Sequence, residues 1–105
     1  MSVCIVLCTV PEENLAKRVA TVLVEKNLAA CVKIIPKVTA IYRWDEKVVT
    51  DTECQLMIKT VTDRVEEAFL LVNKHHPYDV PEWVVMPDVQ GSDSYISWIH
   101  EQTGT

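Results

Sequence analysis

Between Ala30 and Thr60 the chain alternates in two long runs joined by one short turn, and nothing else in the sequence restricts the fold as much. Val38, Ala40, Tyr42 and Trp44 alternate with Thr39, Ile41 and Arg43 up to a turn at Asp45 to Lys47. Beyond it Thr50, Thr52, Cys54, Leu56 and Ile58 alternate with Asp51, Glu53, Gln55 and Lys59. A period of two on both sides of a short polar turn predicts one β-hairpin. Its arms are longer than the usual strand. Pro36 has no N–H to give to a ladder, so it should mark a bulge, a bend or an edge where the first arm changes direction.

The flanking segments complete a pattern around this hairpin. Val3 to Thr9 is nearly all β-branched or apolar, as expected of a central strand covered on both faces. Thr9 and Glu12 have capping-box spacing, Pro11 suits a first helical turn, and Leu15, Val19, Val22 and Leu23 recur at helical intervals, predicting a helix to about Lys26. Asn27 suits a left-handed stop. Asp63 and Glu66 repeat the capping spacing, and Val65, Ala68, Phe69 and Val72 predict a second helix ending near Lys74, before Pro77 and Pro81. Trp83 to Met86 reads as a short strand. Gly91, Ser92 and Asp93 introduce a last helix in which Tyr95, Ile96, Trp98 and Ile99 form an apolar face. The order is an α+β, ferredoxin-like βαββαβ sandwich with a long hairpin between the second and third strands and a C-terminal helix.

With 105 residues, 49% of them hydrophobic, the chain reads as one domain over 1–105. A domain of this length leaves roughly a third of its unfolded-chain surface exposed, so a chain this apolar suggests oligomerisation. The net charge of −5 has the wrong sign for a partner held by its phosphates, which argues against nucleic acid. No apolar run approaches the ~20 residues that span a bilayer, so membrane insertion is not expected. Cys4 and Cys8 on one face of a strand stand about 13 Å apart, too far for a disulfide. No Cys-x-x-Cys pair occurs among the four cysteines, and Cys4, Cys31 and Cys54 read as core thiols. They suit a reducing, cytoplasmic setting, with a mature organellar or secreted form left open.

Five strings occur in order along nearly the whole chain: NLAACVKIIP (Asn27 to Pro36), IYRW (Ile41 to Trp44), the run Glu53 to Thr60 ending in Lys59-Thr60, HHPYDVPE (His75 to Glu82) and YISW (Tyr95 to Trp98). In these the chain resembles the CutA family, the divalent-cation-tolerance proteins. The resemblance implies a ferredoxin-like subunit in a compact homotrimer and a link to tolerance of copper and other divalent metals. Family members usually carry Gly in the hairpin turn, where this chain has Asp45-Glu46-Lys47, and an aliphatic residue at the position of Trp83. The loss of Gly suggests a different turn geometry.

Cys8, His75 and His76 match the positions through which a family member is thought to bind copper. A thiolate with two imidazoles suits Cu or Zn, and Cu(II) is favoured ahead of other divalent cations. Adjacent helical residues point about 100° apart, so His75 and His76 can share an ion only where the backbone has left the helix. The alternative is that one His caps the second helix while the other packs on Pro77 and Tyr78, with Cys8 a buried thiol. Glu53 and Lys59 share a strand face and, with Asp88 and the aromatic residues, could border an intersubunit cleft. That gives a second class of function, a PII-like signalling or scaffolding trimer that binds a small molecule or a partner protein. Catalysis is not expected: no glycine-rich oxyanion or phosphate loop accompanies Cys8, and Gly occurs only at 91 and 104.

Overall fold

The computed structural model describes residues 2–105. Its elements are β1 (Val3–Val10), α1 (Glu13–Glu25), β2 (Cys31–Trp44), β3 (Lys47–Val61), α2 (Val65–His75), β4 (Val84–Met86) and α3 (Asp93–Gln102). The four strands form one sheet in the order β2-β3-β1-β4, with every neighbouring pair antiparallel. This is the expected α+β arrangement, with β1 central. The hairpin sets the shape: arms of 14 and 15 residues at roughly 3.3 Å per residue account for the 44 Å long axis of a molecule only 24 and 22 Å across.

Pro36 does what a residue without an N–H must do in a ladder. The β2/β3 register shifts between Ile35 and Val38, and Lys37 takes a left-handed φ of 58° to absorb the extra chain. The shift also exchanges parity. Before the bulge Ile35 lies opposite Gln55, whereas after it Val38 lies opposite Glu53, so even-numbered residues of β2 now share the face of odd-numbered β3 residues. Tyr42 and Trp44 are thereby turned onto that face.

Local turns are partly as anticipated. Asn27 has φ 59°, and the N–H groups of Leu28 and Ala29 both close on the Leu23 carbonyl at the end of α1. Ser92 caps α3, its Oγ accepting from the Tyr95 N–H at 3.3 Å. The two other capping spacings are not used. Thr9 stays in β1, and Glu12 stands at the N-cap of α1 without a side-chain bond. Asp63 falls in a 3-10 turn, Thr62–Arg64, that leads into α2. The hairpin turn departs from expectation as well: Asp45 and Glu46 adopt φ 52° and 63° without glycine, the two positive values of a primed two-residue turn.

Helices cover one face of the sheet. There Cys4, Val6, Cys8 and Val10 of β1 and Cys54, Leu56 and Ile58 of β3 pack against Leu15, Val19, Leu23, Ala68 and Val72. Cys31 is half-buried rather than part of this core. On the other face, α3 covers only the end around Val3, Val61 and Ile99, and Tyr95 and Trp98 remain exposed. Ile5, Leu7 and Met57 are half-open there, while Ile35, Val84 and Met86 are 46%, 49% and 37% exposed. Within one chain β1 is therefore fully covered on its helix side alone.

Candidate functional site

Cys8 lies near the end of β1, fully buried on the helix side of the sheet. Its Sγ donates weakly to the Thr9 carbonyl at 3.8 Å. Burial, with the charge of Glu82 adding to it, pushes the thiol up to about 12. The backbone leaves the helix at His76, whose φ and ψ are −89° and 130°. Its ring turns toward β1: Nδ1 accepts the Tyr78 N–H at 3.2 Å, which leaves Nε2 to carry the proton and donate to the Thr9 carbonyl. The ring also packs on Tyr78 with centroids 4.7 Å apart.

Cys8 and His76 thus meet at one carbonyl oxygen. His75, the last residue of α2, is exposed and lies along α1, where it borders a shallow groove with Lys17, Arg18 and Thr21. Among the described residues no three His, Cys, Asp or Glu side chains gather as closely as a metal ion requires. The donor types suit copper, whereas within one chain the protein presents a Cys8–His76 pair and a separate His75.

A second site lies on the sheet face that the helices leave open. The loop from Pro77 to Glu82 crosses the hairpin there and encloses a cleft of about 670 Å³, lined by Thr9, Tyr42, Trp44, Glu53, Gln55 and Tyr78 among others. Gln55 ties the loop to the sheet. Its Nε2 donates to Glu82 Oε2 at 3.0 Å and to the Cys8 carbonyl at 3.1 Å. Tyr42 donates to Asp51, and that bond holds the phenol up at about 12. Tyr78 is raised too, by burial first and then by the charges of Glu53 and Asp51. Glu53 is only 7% exposed.

Lys59 shares the Glu53 strand face but sits six residues away, about 20 Å along the strand. Its Nζ donates to the Tyr95 hydroxyl at 3.2 Å and lies 5.2 Å from that ring's centroid. Asp88 takes a left-handed φ of 54° in the turn after β4, and Trp83 packs edge-on against Phe69 at 5.2 Å. These residues and Glu53 do not form one pocket within the chain. Gln55 was not singled out by its sequence, because it falls on the polar parity of the strand with Glu53 and Lys59, where a glutamine carries no signal of its own.

A family model described as CutA1 divalent ion tolerance protein matches residues 4–102. The divalent-cation tolerance protein CutA of Thermus thermophilus is 46% identical over 95% of this chain and 97% of its own length. Among solved structures, a divalent cation tolerance protein from the same organism superposes with a TM-score of 0.93 at 45% identity, covering 97% of this chain and 99% of that one. The periplasmic divalent cation tolerance protein CutA from Archaeoglobus fulgidus gives 0.92 at 31% identity, over 96% and 98% of the two chains.

Proposed function

The chain belongs to the CutA1 divalent ion tolerance family, and from that premise we propose that it acts as a homotrimer in divalent cation tolerance, binding Cu(II) through His75 and His76 with Cys8 beneath them. The observation that supports this most directly is the meeting of Cys8 and His76 at the Thr9 carbonyl, with the exposed His75 next in sequence. Imidazole nitrogens favour Cu(II) over other first-row divalent ions, and Cys8 would join them only by losing the proton that burial holds on it. The trimer is supported by the apolar sheet face left open by the helices, on which Ile35, Val84 and Met86 remain exposed. Four free cysteines suit a reducing compartment such as the cytoplasm. We assign no catalytic step, because the Cys8 thiol is buried and held protonated at neutral pH.

Copper titration followed by calorimetry tests the site. The His75→Ala, His76→Ala double variant should lose most of the wild-type affinity. Because the donors must shed protons to bind, affinity should also rise with pH. Equal stoichiometry and affinity in wild type and double variant would overturn the assignment.

A further inference from the structure

Both ring nitrogens of His76 are already engaged. Nδ1 accepts the Tyr78 N–H at 3.2 Å, and Nε2 carries the proton and donates to the Thr9 carbonyl. A metal ion needs a ring lone pair, and a neutral imidazole has one, which here is on Nδ1 and points at Tyr78. His76 can therefore act as a ligand only after giving up a hydrogen bond, and the two nitrogens differ in how many are lost.

Ligation through Nδ1 removes one. The Tyr78 N–H loses its acceptor, while Nε2–H stays on the Thr9 carbonyl, the kind of backbone contact that a metal-ligating histidine commonly makes with its other nitrogen. Ligation through Nε2 removes two. The proton must then move to Nδ1, where it meets the Tyr78 N–H donor to donor, and the Thr9 carbonyl loses the ring as well. The Cys8 thiol shares that carbonyl, so the Nδ1 route leaves it in place with its proton.

By either route Tyr78 loses its acceptor, and Tyr78 is tied into more than one contact. Its ring packs on that of His76 with centroids 4.7 Å apart. It belongs to the 77–82 loop, whose far end is held where Gln55 Nε2 donates to Glu82 Oε2 at 3.0 Å, and it lines the cleft on the open sheet face with Glu53 and Gln55.

We propose that His76 ligates copper through Nδ1 with Nε2–H kept on Thr9, and that this frees Tyr78 and loosens the 77–82 loop, carrying the event from the end of α2 to the open sheet face. The proposal rests on the copper reading above and adds to it the ligating atom and the segment that responds. Loop and ligand then oppose each other by linkage: a change that loosens the loop without touching a donor should tighten copper binding.

Calorimetric titration of the full chain with Cu(II) tests both parts. Nδ1-methylhistidine in place of His76 blocks Nδ1 and leaves Nε2 free, and it should weaken binding by more than the roughly ten- to a hundredfold typical of losing a ligand's supporting partner. Tyr78→Ala removes the ring that packs on His76 but no donor, and it should tighten binding about three- to tenfold. A merely supporting role for Tyr78 would not give that gain. In wild type, hydrogen exchange read by mass spectrometry on the peptide containing Tyr78 should speed up when Cu(II) is added. Undiminished binding after Nδ1 methylation overturns the assignment of the atom. Tyr78→Ala that binds no tighter than wild type, or exchange that Cu(II) leaves unchanged, overturns the release of the loop. Failure of the copper reading itself is distinct, since equal binding by wild type and by the His75→Ala, His76→Ala variant overturns both.

Discussion

With no exposed surface, the Cys8 thiol has no water to stabilise its anion, and its pKa climbs from 9.0 to about 12. The fully buried Cys4 moves in the same direction, also through burial. The sign of the effect on stability follows. Below pH 9 both folded and unfolded chains hold the proton, and the contribution is fully present. Between pH 9 and about 12 the unfolded chain releases a proton that the native chain retains, so stability falls with rising pH by about 1.4 kcal/mol per unit for Cys8. Denaturant midpoints of the metal-free protein from about pH 8 to 11 measure this, and Cys8→Ala should show a shallower decline that separates the thiol from the lysines and tyrosines that titrate nearby. Parallel curves for the two proteins would contradict it. The shared strand face of Cys4 and Cys8 was legible from spacing alone. The approach of His76 was not, because it runs through a backbone carbonyl 67 residues away in sequence, and no side-chain pattern records where a carbonyl points.

Among the elements, the hairpin was the most legible, since its period of two and its proline each have one physical consequence, and the register and bulge agree with both. Less legible was the exchange of faces at that bulge, which follows from the number of extra residues rather than from residue type. It places Tyr42 and Trp44 on the sheet face of Glu53 instead of on the helix side. Capping spacings were poorer guides: Thr9 and Asp63 have suitable partners three residues on, yet a strand extending to Val10 and a 3-10 turn at Thr62–Arg64 took up the residues that would have capped. The hairpin turn carries a local cost, as Asp45 and Glu46 both hold left-handed backbone angles that glycine accepts without its Cβ clashing. Glu46→Gly should therefore stabilise the protein by about 1 kcal/mol, read as a rise in the denaturation midpoint. A lower midpoint would mean that the Glu46 side chain contributes more than its backbone strain removes.

The whole molecule has one finished face and one unfinished face. Composition alone indicated an apolar surplus, with 49% of the residues hydrophobic, but could not say where it lay, because that depends on which side of the sheet the helices occupy. Both helices of the βαββαβ unit pack on the side of Cys4, Val6 and Leu56, so the surplus falls on the side of Ile5, Leu7, Ile35, Met57, Val84 and Met86. Burying a standard interface of about 800 Å² per partner there would offset what leaving those side chains in water costs. A charge on that face should separate the subunits, whereas a charge on an exposed helix surface should not. Sedimentation of wild type should give three times the 11.9 kDa chain mass, and the Ile35→Lys, Val84→Glu double variant should sediment at the chain mass. Leu70→Glu, on α2 at 61% exposure, should keep the wild-type mass. Dissociation by Leu70→Glu together with an intact Ile35, Val84 variant would place the contact on the helices and leave the apolar sheet face needing another partner.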